Sequence, residues 1–88
     1  MKLNNVVAEF LGTYVFLFVI IATGNAWAIG LTLALVILFL GKTSGGNFNP
    51  AVTVMMVLGK KQPMSDLVPY VVAQLLAGFS ALQTYKLL

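Results

Sequence analysis

Thr43-Ser44-Gly45-Gly46-Asn47-Phe48-Asn49-Pro50-Ala51-Val52-Thr53 runs on into Val54-Met55-Met56-Val57-Leu58, and this stretch decides the fold. Its second part reads as a helix from Pro50 to Leu58. Asn49 stands at the N-cap, Pro50 occupies the first helical position where its missing N–H is no loss, and Gly59 can close the C-terminus. Nine residues rise only about 14 Å, roughly half of a hydrocarbon layer about 30 Å thick. The part before Pro50 is too rich in Gly and Asn to be regular, and irregular backbone facing lipid would leave amides and carbonyls unpaired. It must lie outside the membrane or be sheltered by protein. Between apolar spans, this pairing predicts a loop that re-enters the membrane and a half-helix that leads back out.

Working outward, Val6-Val7-Ala8-Glu9-Phe10 opens an apolar run to Thr23 that is nearly long enough to span unaided. Gly24-Asn25 marks a turn so short that the next helix must return beside the first. Residues 26–41 form a second span of about 23 Å, slightly short, ending at Lys42. Lys60-Lys61-Gln62-Pro63 is an aqueous turn. Beyond it, Ser65 offers an N-cap, Asp66 lies in the favourable first turn and Pro69 falls where a missing amide costs little; residues 66–85 make a third full span. The expected fold is an all-α membrane protein, a single unit over 1–88 with three transmembrane helices (about 6–23, 26–41 and 66–85) and a re-entrant half-helix (about 50–58).

Composition narrows the function. Of 88 residues, 60% are hydrophobic, and the charged ones are five lysines and two acids. Without Cys there is no disulfide scaffold, and scattered lysines make no nucleic-acid surface. Glu9 and Asp66 sit on different helices and there is no His, so neither an enzyme's acid–base pair nor a metal set is predicted, and no cofactor. Lys2 before an apolar run resembles the start of a signal peptide, but Glu9 interrupts that run and no small-residue cleavage site precedes a polar region. The run is read as a retained span. With the N-terminus in the cytoplasm, Lys2, Lys42, Lys60 and Lys61 share one side and only Lys86 faces the other, which fits the positive-inside bias. An integral protein of the plasma membrane is expected, with the lipid bilayer as its surroundings.

The motifs Ala8-Glu9-Phe10-Leu11-Gly12-Thr13, Gly30-Leu31-Thr32, Ser44-Gly45-Gly46, Asn49-Pro50-Ala51-Val52-Thr53 and Tyr70 with Ala73-Gln74 together resemble the N-terminal half of the aquaporin and glycerol-facilitator channels. The resemblance covers nearly the whole chain in the expected order. It implies a pore in which Asn49, Pro50, Ala51, Gly45, Gly46, Asn47 and Ile29 contact the permeant, the Asn49 amide donating to a passing water or hydroxyl. It also implies that Glu9 accepts hydrogen bonds from the loop's backbone. Physical chemistry supports such a site, because a half-helix N-terminus at the midplane presents unpaired amides and a positive dipole end that disfavours cations. The bland readings stand beside these. By itself the string is an N-cap, a helix-starting proline and a glycine turn; Glu9 could be hydrated near the membrane boundary; Gln74 could support the loop or make an ordinary interhelical bond.

Ile29 stands where relatives often carry an aromatic residue, and Asn47 and Lys42 stand where histidines are frequent. Ala8/Gly12 and Ala73/Ala77/Ala81 recur at the four-residue spacing that lets membrane helices cross closely, and Gly12 and Gly78 are read as packing residues. Trp27, Tyr14 and Tyr85 read as interface or bundle residues. The family's pore needs two inverted repeats, and its filter arginine comes from the second, whereas this chain contains no Arg. The expected function is therefore a passive channel module for water and small uncharged solutes such as glycerol, completed by a second channel half or by copies of itself. The alternative is a non-conducting membrane subunit that associates with full-length channels.

Overall fold

The computed structural model describes residues 2–88. Four α-helices follow in order: α1 (Leu3–Thr23), α2 (Ala26–Ser44), α3 (Pro50–Leu58) and α4 (Leu67–Leu87), with a single 3-10 turn at Met64–Asp66 before α4. Three of these stretches, Leu3–Thr23, Ala26–Ser44 and Met64–Leu87, are long and apolar enough to cross a membrane. The protein is an all-α integral membrane protein, three spans plus a half-helix. Its longest extent, 38 Å, matches a hydrocarbon core with its interfacial layers.

Each junction has a local cause. Gly24 takes the left-handed conformation (φ 56°) and its N–H returns to the Ile20 carbonyl, closing α1. Asn25 then caps α2, its side-chain oxygen accepting from the Ala28 amide at 3.0 Å. Gly45, at φ 93°, ends α2 with its N–H on the Gly41 carbonyl. After α3 the left-handed residue is Lys60 (φ 60°) rather than Gly59 (φ −79°), although the Gly59 N–H still closes the helix on the Met55 carbonyl.

Helix limits differ from the sequence reading at three places. α1 begins at Leu3, because nothing in Leu3-Asn4-Asn5 breaks a helix and the Asn5 amide already bonds the Lys2 carbonyl. α2 continues through Lys42 and Thr43 to Ser44, so its 19 residues reach about 28 Å and the second span is not short. Ser65 is not the N-cap of α4. It lies in the 3-10 turn, and Asp66 takes the cap position without capping through its side chain. Pro69 thus becomes the third residue of α4, still within the turn whose amides have no intrahelical partner.

α1 packs against both α2 and α4, and α3 packs against α4. Glu9 meets Gln74 and, further along both helices, Tyr14 meets Thr84, so α1 and α4 run in the same direction. Small residues are buried on both helices, Ala8 and Gly12 on α1 and Ala73, Ala77 and Ala81 on α4. In lipid there is no hydrophobic force between helices, so close approach and dispersion contacts hold such an interface. Leu17 Cδ1 lies 3.2 Å from where a Gly78 Cβ would stand, as a packing residue requires. Tyr14 is a bundle residue, its hydroxyl 2.6 Å from that of Thr84, whereas Trp27 and Tyr85 are exposed.

Candidate functional site

The five residues between α2 and α3 turn inward through backbone conformations that ordinary side chains avoid. Gly45 and Gly46 have φ of 93° and 69°, and Phe48 has φ of 55°. A non-glycine residue held there costs about 1–3 kcal/mol unless its surroundings over-determine it. At Phe48 they do. Its amide donates to Glu9 Oε1 at 2.7 Å and its ring is buried over Gly12. A Cβ at position 12 would overlap Cε1 of that ring and stand 2.7 Å from Cδ1. Gly12 is therefore more than a helix-crossing residue: it is the seat of the Phe48 ring. It is also close to the middle of α1, which sets the loop at about half the depth of the span.

Glu9 is fully buried and lies beneath the loop. Four donors reach its carboxylate, two at each oxygen. Oε2 accepts from the Ser44 hydroxyl at 2.6 Å and the Asn47 amide at 3.1 Å. Oε1 accepts from the Phe48 amide and, at 2.9 Å, from Gln74 Nε2. Buried charge and buried backbone donors are each costly alone, and here each satisfies the other. The Ser44 hydroxyl accepts in turn from the Gly46 amide at 3.2 Å, and Tyr70 donates its hydroxyl to the Ser44 carbonyl at 2.7 Å. The end of α2 and the start of the loop are thus tied to both α1 and α4.

Asn49 closes the loop and opens α3. Its Oδ1 accepts from the Ala51 amide at 2.7 Å, and the Thr53 amide returns to its carbonyl at 3.0 Å. The cap engages the oxygen end of the side chain, leaving Nδ2 as a donor with no intramolecular partner among the described residues. Asn49 is exposed even though it sits at mid-depth. Side-chain Nδ2 and the positive end of α3 consequently face the same open space.

The structure brings Gly45, Gly46, Asn49, Pro50 and Ala51 together in this one turn, with Gly45, Asn49 and Ala51 exposed. Asn47 lies in the same turn, but its side chain is buried, donating to Thr53 Oγ1 at 2.9 Å and to Gln62 Oε1 at 2.7 Å. Ile29 is half-buried in the first turn of α2, about 22 Å along that helix from Ser44, so it stands at a different level from the loop. Glu9 and Gln74 meet directly, and Glu9 is buried rather than hydrated.

Four contributors went unassigned in the sequence reading: Ser44, Thr53, Tyr70 and Gln62. The first three lie in quoted motifs, so the signal was present but carried no role. Gln62 lies in a Lys-Lys-Gln-Pro turn whose polarity looks like mere solvation. No group of three His, Cys, Asp or Glu side chains suited to a metal occurs among the described residues.

Three membrane-crossing helices around a dipping loop and half-helix define one repeat of a membrane channel of the aquaporin type. Residues 1–88 match the Major intrinsic protein family, and the chain belongs to it. This is a family of channels and not of enzymes. The chain is 39% identical over 88 residues to glycerol uptake facilitator protein-like 6 of Lactiplantibacillus plantarum, covering 90% of this chain and 41% of that protein. It is 37% identical over 94 residues to aquaporin Z of Brucella melitensis biotype 1, covering 90% and 41%. To nodulin-26 of Glycine max it is 36% identical over 100 residues, covering 98% and 37%. It therefore spans about two fifths of the length of these relatives. No solved structure matches the chain significantly.

Proposed function

We propose that the chain is one repeat of a passive channel for water and small uncharged solutes such as glycerol, its pore completed by a second channel half or by another copy. The observation that carries this reading is the disposition of Asn49: its oxygen is turned back to the Ala51 amide, which leaves the donor end of the side chain free at mid-depth. A permeating hydroxyl oxygen can accept from it, while the adjacent half-helix N-terminus disfavours a cation. Gly45, Gly46, Pro50 and Ala51 bring backbone to the same opening. Asn47, with its amide and side chain both engaged inside the molecule, supports the loop rather than the opening, and Ile29 forms a separate aliphatic constriction nearer the far end. Glu9 and Gln74 support the loop. Names of relatives supply the solute classes, one being a glycerol uptake facilitator and another an aquaporin.

The orientation that fits is an N-terminus in the cytoplasm of a plasma-membrane protein, with Lys42, Lys60 and Lys61 on the same side. That bias favours a distinct second half over an antiparallel copy of the same chain. Osmotic water flux and glycerol flux into reconstituted vesicles test the proposal. Replacing Asn49 with Leu should abolish the flux while the helical content stays unchanged. Flux that is indifferent to Asn49, or absent from the completed assembly, would leave a non-conducting subunit of full-length channels as the better account.

A further inference from the structure

Gln62 and Asp66 belong to the polar turn outside the half-helix, and neither belongs to the loop that carries Asn49. A chain of side-chain hydrogen bonds nevertheless connects them to it. Gln62 Nε2 donates to Asp66 Oδ2 at 3.1 Å, Gln62 Oε1 accepts from Asn47 Nδ2 at 2.7 Å, and the same Nδ2 donates to Thr53 Oγ1 at 2.9 Å. Thr53 Oγ1 also accepts from Gln74 Nε2 at 2.8 Å, and Gln74 Nε2 donates to Glu9 Oε1. The Asn47 backbone amide ends on Glu9 Oε2, which closes a circuit from Asp66 to Glu9 through both termini of α3.

The circuit has a direction, imposed by its two ends. A carboxylate accepts only, so Gln74 must turn its nitrogen to Glu9 and Gln62 must turn its nitrogen to Asp66. Gln62 then has only its oxygen to offer inward, and Asn47 must supply both hydrogens of its amide. No other arrangement of these amides satisfies both carboxylates. Asn47, Thr53 and Gln74 are buried, where an unmatched polar group is costly; Gln74 Oε1 is left without a partner among the described residues, so the direction is held by the two carboxylates against that loss.

We infer that Gln62 and Asp66 are positioning residues for the loop: by fixing which end of the Asn47 side chain faces outward, they lock the backbone two residues before Asn49. The channel reading supplies the purpose of this lock, and the lock itself can be tested without conduction.

The test uses amide hydrogen exchange at Gly46–Ala51 in the reconstituted protein, with flux measured in parallel. Gln62→Met keeps the length of the side chain and removes both bonds, and it should speed loop exchange about fivefold, the loss of roughly one net hydrogen bond. Asn47→Asp sets a carboxylate against the Gln62 oxygen. Gln62 can flip to meet it only by presenting its oxygen to Asp66, so this variant should exchange faster than Gln62→Met. Adding Asp66→Asn to Asn47→Asp should restore part of the protection relative to Asn47→Asp alone, because an amide at 66 can donate to the flipped Gln62 while the cost of the buried carboxylate is common to both variants. Unchanged loop exchange in Gln62→Met overturns the inference, and so does failure of the double variant to recover. Restored protection in a protein that conducts nothing supports the lock and counts only against the channel reading. Normal flux with no exchange effect supports the channel and overturns the lock.

Discussion

The α1–α4 pair and α2 are all apolar enough to cross a membrane, yet they are buried to different extents. On α1 and α4, Ala8, Gly12, Ala73, Ala77 and Ala81 are buried, and polar side chains meet across the two helices at Glu9–Gln74 and Tyr14–Thr84. Along α2 only Val36 and Ser44 are buried, while Leu31, Leu35, Leu38 and Phe39 stay exposed at 65, 46, 67 and 77%. The difference teaches that α1 and α4 each bury one face within the molecule, whereas α2 leaves nearly its whole length to lipid or a neighbouring chain. It also locates the loop. The loop is held by α1 and α4 and merely begins at the end of α2.

The strongest way to break this contrast is Glu9→Gln. An amide at position 9 turns its N–H group toward either the Asn47 or the Phe48 backbone amide, which can only donate, so at least one of them loses its acceptor. A loss of about 3 kcal/mol or more is expected, since buried unsatisfied groups cost about 1–3 kcal/mol apiece. It should appear as a marked fall in the thermal midpoint followed by circular dichroism in detergent micelles.

Next in size is Gly12→Ala, whose methyl group would occupy the Phe48 ring position. Overpacking of this kind costs about 1–3 kcal/mol. Combining it with Phe48→Ala should recover part of the loss, and full additivity of the two would show that ring and glycine do not meet.

Tyr70→Phe deletes a single buried hydrogen bond, the one to the Ser44 carbonyl. The expected cost is about 1–2 kcal/mol, measured by the same melt, because one acceptor is left unmatched. Smallest of all is Phe39→Ala on α2, which should change the melt of the isolated chain by about 0.5 kcal/mol or less. Repeating that comparison in the presence of the completing half sharpens the contrast: a larger cost there would place Phe39 in the joint between halves, and no change would leave it facing lipid.

Much of this was legible in the chain. Periodicity and hydropathy are local properties, so three spans and a half-helix could be read from Val6 to Tyr85 with errors of a few residues at the ends. The N-cap at Asn49 and the helix start at Pro50 were legible for the same reason, since cap chemistry depends on the next three residues only. The errors share a cause. α2 outran its expected end because Ser44 is held from outside the helix, by Tyr70 and Glu9, and Ser65 lost the cap because the chain first makes a 3-10 turn in which Asp66 receives Gln62. Asn47 looked like a lining residue because it stands two places before Asn49. Its burial depends on Thr53 and Gln62, and its separation from Gln62 in the chain hides that contact.

By itself, the sequence determined that this is a membrane protein whose Gly45–Asn49 loop cannot face lipid, because apolar length and the hydrogen-bonding needs of backbone in hydrocarbon leave it only water or a protein shelter. It left Glu9 with two choices, donors from the loop or water at the membrane boundary. Tertiary structure alone decided that Glu9 is buried under four loop and helix donors, that the seat of Phe48 is Gly12, and that Asn47 hides its side-chain nitrogen. Those outcomes rest on contacts between residues up to 65 positions apart, and such contacts exist only once α1 and α4 lie side by side.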